Sequence, residues 1–437
     1  MSDHAEAISN LLGYQTDEGY MKYEPVLNLF DTNNGSYGDG RINFDTDTLK
    51  NSLIDYHNSY LETNLQINGT GLDGAGIQIA IKNAVYQLIS GFQLKINNID
   101  VINTDYLPVY NSFKMYLHGD KEWADTHGDL YHFSKDDKDV NNDDDTNDGF
   151  LNRIEILNLV KSGVSATTLT FTARIPLKMV SSYFEALDRP LINARMQPTF
   201  SISGVNGDRF FPIIANPASL ATSLTILNGC RWVVYRCELQ PESAIKFNQN
   251  LAKGLVVETN FWQAKHFKGT QTTNLTDQSF TITSGIRAPR RIMACFMNET
   301  DWASNTSCSP AVTNNNNKFV LSNIEINNER IFMQDVKDDY EHYKLLQREM
   351  FSGEDQNSNG CLVPYRDFLR ANYAYYVYNI SNSKYIIKDP NASVQLRFIG
   401  TKTLKSGGTD AELHCFVEHE VNVTFNMTTS EVLKSGD

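Results

Sequence analysis

The sequence has no long apolar run, and its N-terminus has no apolar leader. No stretch approaches the roughly 18 apolar residues that a membrane-spanning helix needs. Residues Met1–Glu6 are polar and acidic, unlike the charged and then apolar pattern of a secretion signal. We therefore expect the chain to be made and folded in a reducing compartment.

Cysteine is scarce, and none of the six cysteines belongs to a C-x-x-C pair, the usual spacing of zinc and redox sites. Cys230 and Cys237 lie seven residues apart in a strand-like run, so they point to opposite faces of it. In a regular strand they cannot bond to each other. We expect free buried thiols at positions 230, 237, 295, 308, 361 and 415.

Positive charge is also in deficit, because 38 Lys and Arg residues face 52 Asp and Glu residues, a net charge of −14. A chain of this sign is repelled by phosphate backbones, so we expect no direct contact with nucleic acid. The clearest basic cluster, Arg287–Arg291, is short and has no aromatic residues for base stacking. We expect it to form a loop or a subunit contact.

Recognisable catalytic motifs are missing as well: the sequence has no P-loop, nucleophile elbow, dinucleotide fingerprint or Cys/His nucleophile signature. One stretch is crowded with His118, Asp120, Glu122, Asp125 and His127. Its spacing differs from the H-E-x-x-H pattern of a hydrolytic metal site, so it is typical of the polar end of a helix. We predict no catalytic, cofactor-binding or metal-ligating residue and no enzyme.

An Asp-rich loop, Asp136–Gly149, is the one segment with a metal-like pattern. Within it, Asp144–Glu155 approaches an EF-hand loop, with oxygen side chains at positions 1, 3 and 5, Gly at 6 and Glu at 12. Position 3 is Thr146, however, and no helical pattern precedes the run. A solvated acidic loop is the simpler interpretation, and calcium binding stays an open alternative.

What the sequence does contain is strand-forming residues, with 21 Tyr, 23 Phe and many Thr, Val and Ile. In the clearest strand, residues 168–175, Leu169, Phe171, Ala173 and Ile175 face one way. Thr and Arg face the other way. This period of two is typical of a half-buried β-strand.

The same order of elements occurs twice, about 200 residues apart. Each copy has a pair of strand-like elements and a short helix, then a strand, a proline and a further strand. We predict the first helix over about 105–117, where the apolar stripe is Tyr106, Tyr110, Phe113 and Leu117. We predict the second helix over about 335–351, with Asp335 as its N-cap and Gly353 as its stop; its apolar stripe is Val336, Tyr340, Tyr343 and Met350. The paired elements are Phe92–Leu94 and Ile99–Val101, then Phe319–Leu321 and Ile324–Ile326; the strands are Leu169–Ile175 and Pro198–Ile202, then Tyr373–Tyr378 and Val394–Phe398.

The repeat predicts two similar β domains in one chain. We assign 1–40 to an N-terminal arm, 41–239 to the first domain, 240–428 to the second and 429–437 to a C-terminal tail. In the last strand, Leu413, Cys415, Val417, Val421, Val423 and Phe425 alternate with the polar residues Glu412, His414, Glu418, Glu420 and Thr424. This alternation predicts one buried and one solvated face.

Several motifs in this order resemble the double jelly-roll major capsid proteins of Polinton-like viruses and virophages, over about residues 45–425. The motifs are Arg174-Ile-Pro-Leu177, Phe184-Glu-Ala-Leu187, Pro190-Leu-Ile192, Asp148–Arg153 before a strand, and Cys361–Phe368. The resemblance implies an all-β fold of two tandem eight-stranded antiparallel jelly rolls, with short helices in the loops between strands.

The resemblance also implies a structural virion protein that is assembled inside the host cell. Three chains would give six jelly rolls, a pseudo-hexameric trimer that tiles an icosahedral shell. The expected partners are the other copies of a homotrimer, neighbouring capsomers, penton and minor capsid or cement proteins, and an internal membrane reached through the arm. The alternatives are a calcium-dependent carbohydrate-binding β-sandwich, using Asp144–Glu155, and a β-rich hydrolase.

Overall fold

The computed structural model describes residues 21–136, 147–306, 318–350, 362–402 and 412–435, apart from short gaps at 34, 50, 75, 77, 120, 127, 206–207, 218–219, 228, 270–276, 288, 370–372, 385 and 387–392. The first half is built from twelve described strands, because runs of alternating apolar and polar residues pair edge to edge. They are β1 Met21–Phe30, β2 Arg41–Asn43, β3 Ile54–Asn68, β4 Gln78–Ile81, β5 Ile89–Ile96, β6 Ile99–Asp105, β7 Lys161–Val164, β8 Thr168–Pro176, β9 Met196–Ile202, β10 Ile213–Asn216, β11 Ser223–Ile226 and β12 Arg231–Leu239.

Eight of these strands form a jelly roll of two antiparallel sheets. One sheet has the order β1-β12-β3-β8 and the other the order β2-β9-β5-β6. When the eight strands are numbered along the chain, the orders read 1-8-3-6 and 2-7-4-5, the pattern of a jelly roll. The remaining strands extend it: β7 pairs with β8, β11 with β3, and β4 with β10.

The second half repeats this arrangement. Its sheets have the orders β13-β21-β15-β19 and β14-β20-β16-β17, which are again 1-8-3-6 and 2-7-4-5. Here β22 pairs with β21, and β18 with β16. The strands are β13 Val256–Gly269, β14 Asp277–Arg287, β15 Pro289–Met297, β16 Phe319–Ile326, β17 Glu329–Arg330, β18 Val336–Lys337, β19 Tyr376–Asn379, β20 Ser393–Lys402, β21 Glu412–Asn426 and β22 Val432–Ser435.

The helices are short and lie between strands. They are α1 Leu107–His118, α2 Lys121–Thr126, α3 Asp148–Val160, α4 Leu177–Val180, α5 Ser182–Ala186, α6 Pro241–Ala252, α7 Glu299–Ala303, α8 Asp338–Met350 and α9 Tyr365–Leu369, with 3-10 turns at Asp47–Leu49, Val85–Leu88 and Gly128–Tyr131. Helix α6 begins at the predicted junction between the halves, and no described helix is long and apolar enough to cross a membrane.

Two matching hairpin turns show the repeat at the level of single residues. Asn97 and Asn98 between β5 and β6, and Asn327 and Asn328 between β16 and β17, all have a positive φ of 50° to 68°. Asn tolerates this left-handed backbone, and two such residues in a row form the hairpin turn that fits twisted strands. In each half the first Asn accepts a hydrogen bond of 2.9 Å from a backbone N–H at the start of the seventh strand: from Arg195, directly before β9, and from Gln395, the third residue of β20.

The burial pattern confirms the predicted period of strand β8. Leu169, Phe171, Ala173 and Ile175 are all buried in the first core, and the residues between them are partly or fully exposed. The all-β fold class and helix α1, with Tyr110, Phe113 and Leu117 buried, are confirmed as well.

The structure differs from the sequence prediction at both ends of the chain. The segment 1–40, predicted as an arm, contains β1, the first strand of the first jelly roll, which pairs with β12 from Met21–Leu239 to Phe30–Arg231. The segment predicted as a tail, 429–437, contains β22. A strand is recognised by alternation, and Met21–Phe30 has a proline at its centre, which hides the pattern.

Details of the second helix also differ. Asp338, not Asp335, caps α8, since its carboxylate accepts hydrogen bonds from the backbone N–H groups of Tyr340 and Glu341. The predicted stripe is wrong at Tyr340, which is exposed; Leu346 is buried instead. The paired elements predicted at 319–321 and 324–326 are one continuous strand, β16, and Gly353, the predicted stop, lies outside the described residues.

Candidate functional site: the seam between the two jelly rolls

The two jelly rolls share one continuous apolar core along a seam, which we define as the surface where helix α1 meets β19 and β21. Aromatic side chains from both halves interlock there. Phe113 packs edge to face on Tyr375 at 4.6 Å between ring centroids and on Phe416 at 5.5 Å. Tyr116 lies 5.0 Å from Tyr373. All five rings are buried, so the two halves pack like the inside of one domain rather than like two tethered domains.

A buried polar chain crosses the seam within these rings. The Tyr110 hydroxyl donates a hydrogen bond of 2.8 Å to Glu418 Oε1, and Arg291 Nε donates one of 2.6 Å to Glu418 Oε2. Only 2% of Glu418 is exposed. This residue belongs to the strand face that was predicted to be solvated. On that face of β21, His414, Phe416 and Glu418 are buried, and residues of the first jelly roll pack against Phe416 and Glu418.

The charge of Glu418 follows from these contacts. Burial acts to raise the pKa of its carboxyl group, but the Arg291 guanidinium and the hydrogen bonds from Arg291 and Tyr110 outweigh burial and hold that pKa below its usual value. Burial, followed by the charge of Glu418, raises the pKa of Tyr110 well above its usual value. The seam therefore holds a buried carboxylate and guanidinium that neutralise each other.

Backbone groups join the two halves beside helix α7. The carbonyl oxygen of Trp302 accepts a hydrogen bond of 2.9 Å from Phe211 N–H, and that of Asn305 one of 2.8 Å from Ala215 N–H. Lys82, which is almost completely buried, donates to the carbonyl oxygens of Asp301 and Trp302 at 3.3 Å. This segment of the second half is thus fixed to the first.

The basic cluster 287–291 lies next to the seam and is neutralised by glutamates. Arg290 forms an ion pair of 3.0 Å with Glu420, and Arg291 forms the pair with Glu418 described above. Two of its three arginines therefore hold strand β21 and are not presented to a phosphate backbone.

The calcium-like pattern does not fold as a calcium loop. Its positions 5 to 12, Asp148–Glu155, all lie in helix α3, and side chains that project from successive positions of one helix cannot surround a single ion. Arg153, a fully buried helix residue, instead binds Asp136 at 2.7 Å. Residues 137–146 lie outside the described residues.

The remaining residues singled out in the sequence are the His, Asp and Glu residues at 118–127 and the six cysteines. Glu122 is exposed on helix α2, and the side chains of His118, Asp120, Asp125 and His127 lie outside the described residues. Cys230, Cys237, Cys295 and Cys415 are free and buried, as predicted, whereas Cys308 and Cys361 lie outside the described residues. Sequence reasoning missed the whole seam, because its contacts join residues about 300 positions apart.

Comparison with known proteins gives one kind of match. No family model matches the chain, and no curated protein matches it. Among solved structures, the mavirus major capsid protein covers 96% of this chain and 91% of its own length at a TM-score of 0.58 and 10% identity. The Sputnik virophage structure covers 97% of this chain and 90% of its own length, at a TM-score of 0.62 and 10% identity. The PBCV-1 virus capsid model covers 96% of this chain and 98% of its own length, at a TM-score of 0.55 and 12% identity. The chain therefore has the double jelly-roll fold that these capsid structures share.

Proposed function

We propose that this protein is a major capsid protein whose homotrimers form pseudo-hexameric capsomers of an icosahedral shell. The observation that carries the proposal is the pair of jelly rolls with identical strand order joined through one buried core. Three such chains supply six similar blocks, the number that a hexagonal lattice position requires. The fold shared with virophage and large DNA virus capsid structures supports the same function.

The proposal assigns each part of the chain a role. The first jelly roll spans Met21–Leu239 and the second Val256–Asn426, with helix α6 between them; β22 adds one strand to the second. Residues 1–20 are the segment that reaches minor capsid proteins, pentons, cement proteins or an internal membrane. The protein acts in the virion capsid as a structural component rather than as an enzyme. Because the chain is acidic, other proteins would bind the nucleic acid.

The test is the mass of the purified chain in solution, followed by imaging of the same fraction. Three copies of 49.4 kDa would give about 148 kDa, and negative-stain images should show hexagonal outlines. A stable monomer at any concentration, with no hexagonal particles, would remove the proposal. The alternative, a calcium-dependent carbohydrate-binding protein, would be a monomer that calcium and glycan stabilise. The helical conformation of Asp148–Glu155 in α3 argues against this alternative.

A further inference from the structure

Three side chains that can bind a metal meet at one end of the second jelly roll. Glu299 begins helix α7, and Glu412 and His414 lie at the start of strand β21. One ligand atom from each lies within 4.8 Å of the other two. The group is separate from the Tyr110–Glu418 seam described above.

His414 is the member that points to a ligand. Its side chain is completely buried, and its Nε2 atom has no hydrogen-bond partner among the residues that the structure describes, although it faces Glu412 Oε2 at 4.0 Å. A buried nitrogen without a partner is energetically unfavourable, so such an atom calls for a physical explanation. A metal ion at this position would provide one.

The second nitrogen of His414 is already held as a metal-binding imidazole requires. Its Nδ1 lies 3.0 Å from His266 Nε2. With the proton on Nδ1, His414 donates to His266 and leaves the lone pair of Nε2 free; metal-binding histidines are oriented in this way by an outer partner.

A cationic side chain now stands between the two carboxylates. Lys268 Nζ, at the end of β13, lies 2.9 Å from Glu299 Oε2 and 2.5 Å from Glu412 Oε2. About a third of this side chain is exposed, so it can turn out into solvent. The carboxylates thus already neutralise one positive charge, and together they carry enough charge to bind a divalent ion in its place.

We propose that Glu299, Glu412 and His414 bind a divalent first-row transition ion, with Zn²⁺ as the representative, when the Lys268 ammonium group moves out. One imidazole and two carboxylates suit zinc, and they leave a fourth position for water. Calcium and magnesium prefer oxygen ligands alone, so the histidine selects against them. The ion would join α7 to β21 at the edge of the core.

The test uses the tag-free full-length chain, stripped with a chelator and titrated with Zn²⁺ by calorimetry and with Co²⁺ by absorption. We expect binding of one ion per chain, with visible d–d bands and without the near-ultraviolet band that thiolate ligands give. Lys268→Met should tighten binding by about tenfold, since it removes a competing charge a few ångströms away. Glu299→Gln and Glu412→Gln should each weaken binding strongly.

The matched control is Lys384→Met, which removes the lysine of an exposed ion pair with Glu329 elsewhere on the second jelly roll. It should leave Zn²⁺ affinity unchanged. Equal affinity in the wild type, Lys268→Met and Glu299→Gln, a thiolate band with Co²⁺, or no binding by folded Lys268→Met would each overturn the proposal. Circular dichroism establishes that each variant is folded, and the assay does not depend on whether the chain forms trimers.

Discussion

Tyr110 of the first jelly roll donates a hydrogen bond of 2.8 Å to Glu418 of the second, and both residues are buried. Arg291 neutralises the same carboxylate from the neighbouring strand. Because the two residues lie 308 positions apart in sequence, this contact forms only when both halves are folded and docked. The seam is therefore where the stability of one jelly roll depends on the other.

The Tyr110–Glu418 bond predicts a graded loss of stability. Tyr110→Phe removes one hydrogen bond to a charged group and should lower the free energy of unfolding by about 1.5–3 kcal/mol. Glu418→Gln leaves the Arg291 guanidinium buried without its counter-charge and should cost about 3–5 kcal/mol. Urea denaturation followed by tryptophan fluorescence measures both.

Tyr340→Phe is the control for this pair, since its side chain is exposed on helix α8 and the change should have almost no effect. If Glu418→Gln proves no more harmful than Tyr110→Phe, then Arg291 is not paired as described. If both variants behave like the control, the two jelly rolls do not dock along this face.

The matching hairpin turns predict matching mutational effects. Asn97→Ala and Asn327→Ala each remove the side-chain bond to the backbone N–H of Arg195 or Gln395 and place alanine at a positive φ. The lost hydrogen bond and the strained backbone should together lower the free energy of unfolding of each variant by about 2–3 kcal/mol. Asn97→Ala should cost slightly more, because Asn97 also donates to the carbonyl oxygen of Ser430 in the second half.

Asn98→Gly and Asn328→Gly provide the comparison, since glycine adopts a positive φ without strain and both variants should match the wild type. Thermal unfolding of all four variants shows whether the two turns contribute equally to stability. A large effect in one half with none in the other would contradict the equivalence of the two turns.

The sequence predicted those parts of the fold that follow from local pattern. The alternation at Leu169–Ile175 defined β8, and the Tyr110–Leu117 stripe defined α1, because each pattern is set by the period of a single element. The repeat was visible for the same reason. The turn pair Ile96-Asn-Asn and Ile326-Asn-Asn was also there to be read as a repeat, since two consecutive asparagines before a strand favour a tight hairpin.

The remaining features depend on the neighbours of a residue rather than on its own segment. Strand β1 contains Pro25, which removes a backbone donor, and β12 nonetheless pairs with the strand on either side of a register shift at Glu24–Leu27. Glu418 and His414 have the spacing of a solvated strand face, but the first jelly roll and helix α7 cover them. The candidate zinc ligands Glu299 and Glu412 are 113 positions apart, so no local motif could bring them together.

A buried histidine predicts how stability changes with pH. Burial lowers the pKa of His132 from its usual 6.5 to about 4, so the folded protein keeps it neutral where the unfolded chain has already taken up a proton. The unfolded state therefore binds more protons between these values, and stability is complete above about pH 6.5 and declines as the pH falls towards 4. His132 should contribute a slope of about 1.4 kcal/mol per pH unit in this window.

The measurement compares the free energy of unfolding of the wild type with that of His132→Asn over this range, in the presence of a chelator. Asn suits the position because His132 has a positive φ of 54°. The variant should be less sensitive to acid by the stated slope. Parallel pH profiles would show that His132 titrates normally in the folded protein.

The position of β1 changes what a truncation should do. Had residues 1–40 formed a free arm, removal of residues 1–30 would leave trimers intact and impair only shell assembly. In the structure, Met21–Phe30 pairs with β12 on both sides of the register shift at Glu24–Leu27, so that deletion exposes a strand edge next to the buried Trp232. We expect the protein without residues 1–30 to aggregate and the protein without residues 1–20 to form soluble trimers.

Light scattering of both truncated proteins, followed by imaging under assembly conditions, separates a folding role from an assembly role. Trimers that lack residues 1–20 but fail to close into shells would support the assignment of that segment to contacts outside the capsomer. Complete shells from this protein would remove that assignment. Soluble trimers from the protein without residues 1–30 would show instead that the first jelly roll is stable without its first strand, because the seam and the remaining seven strands then suffice to hold it.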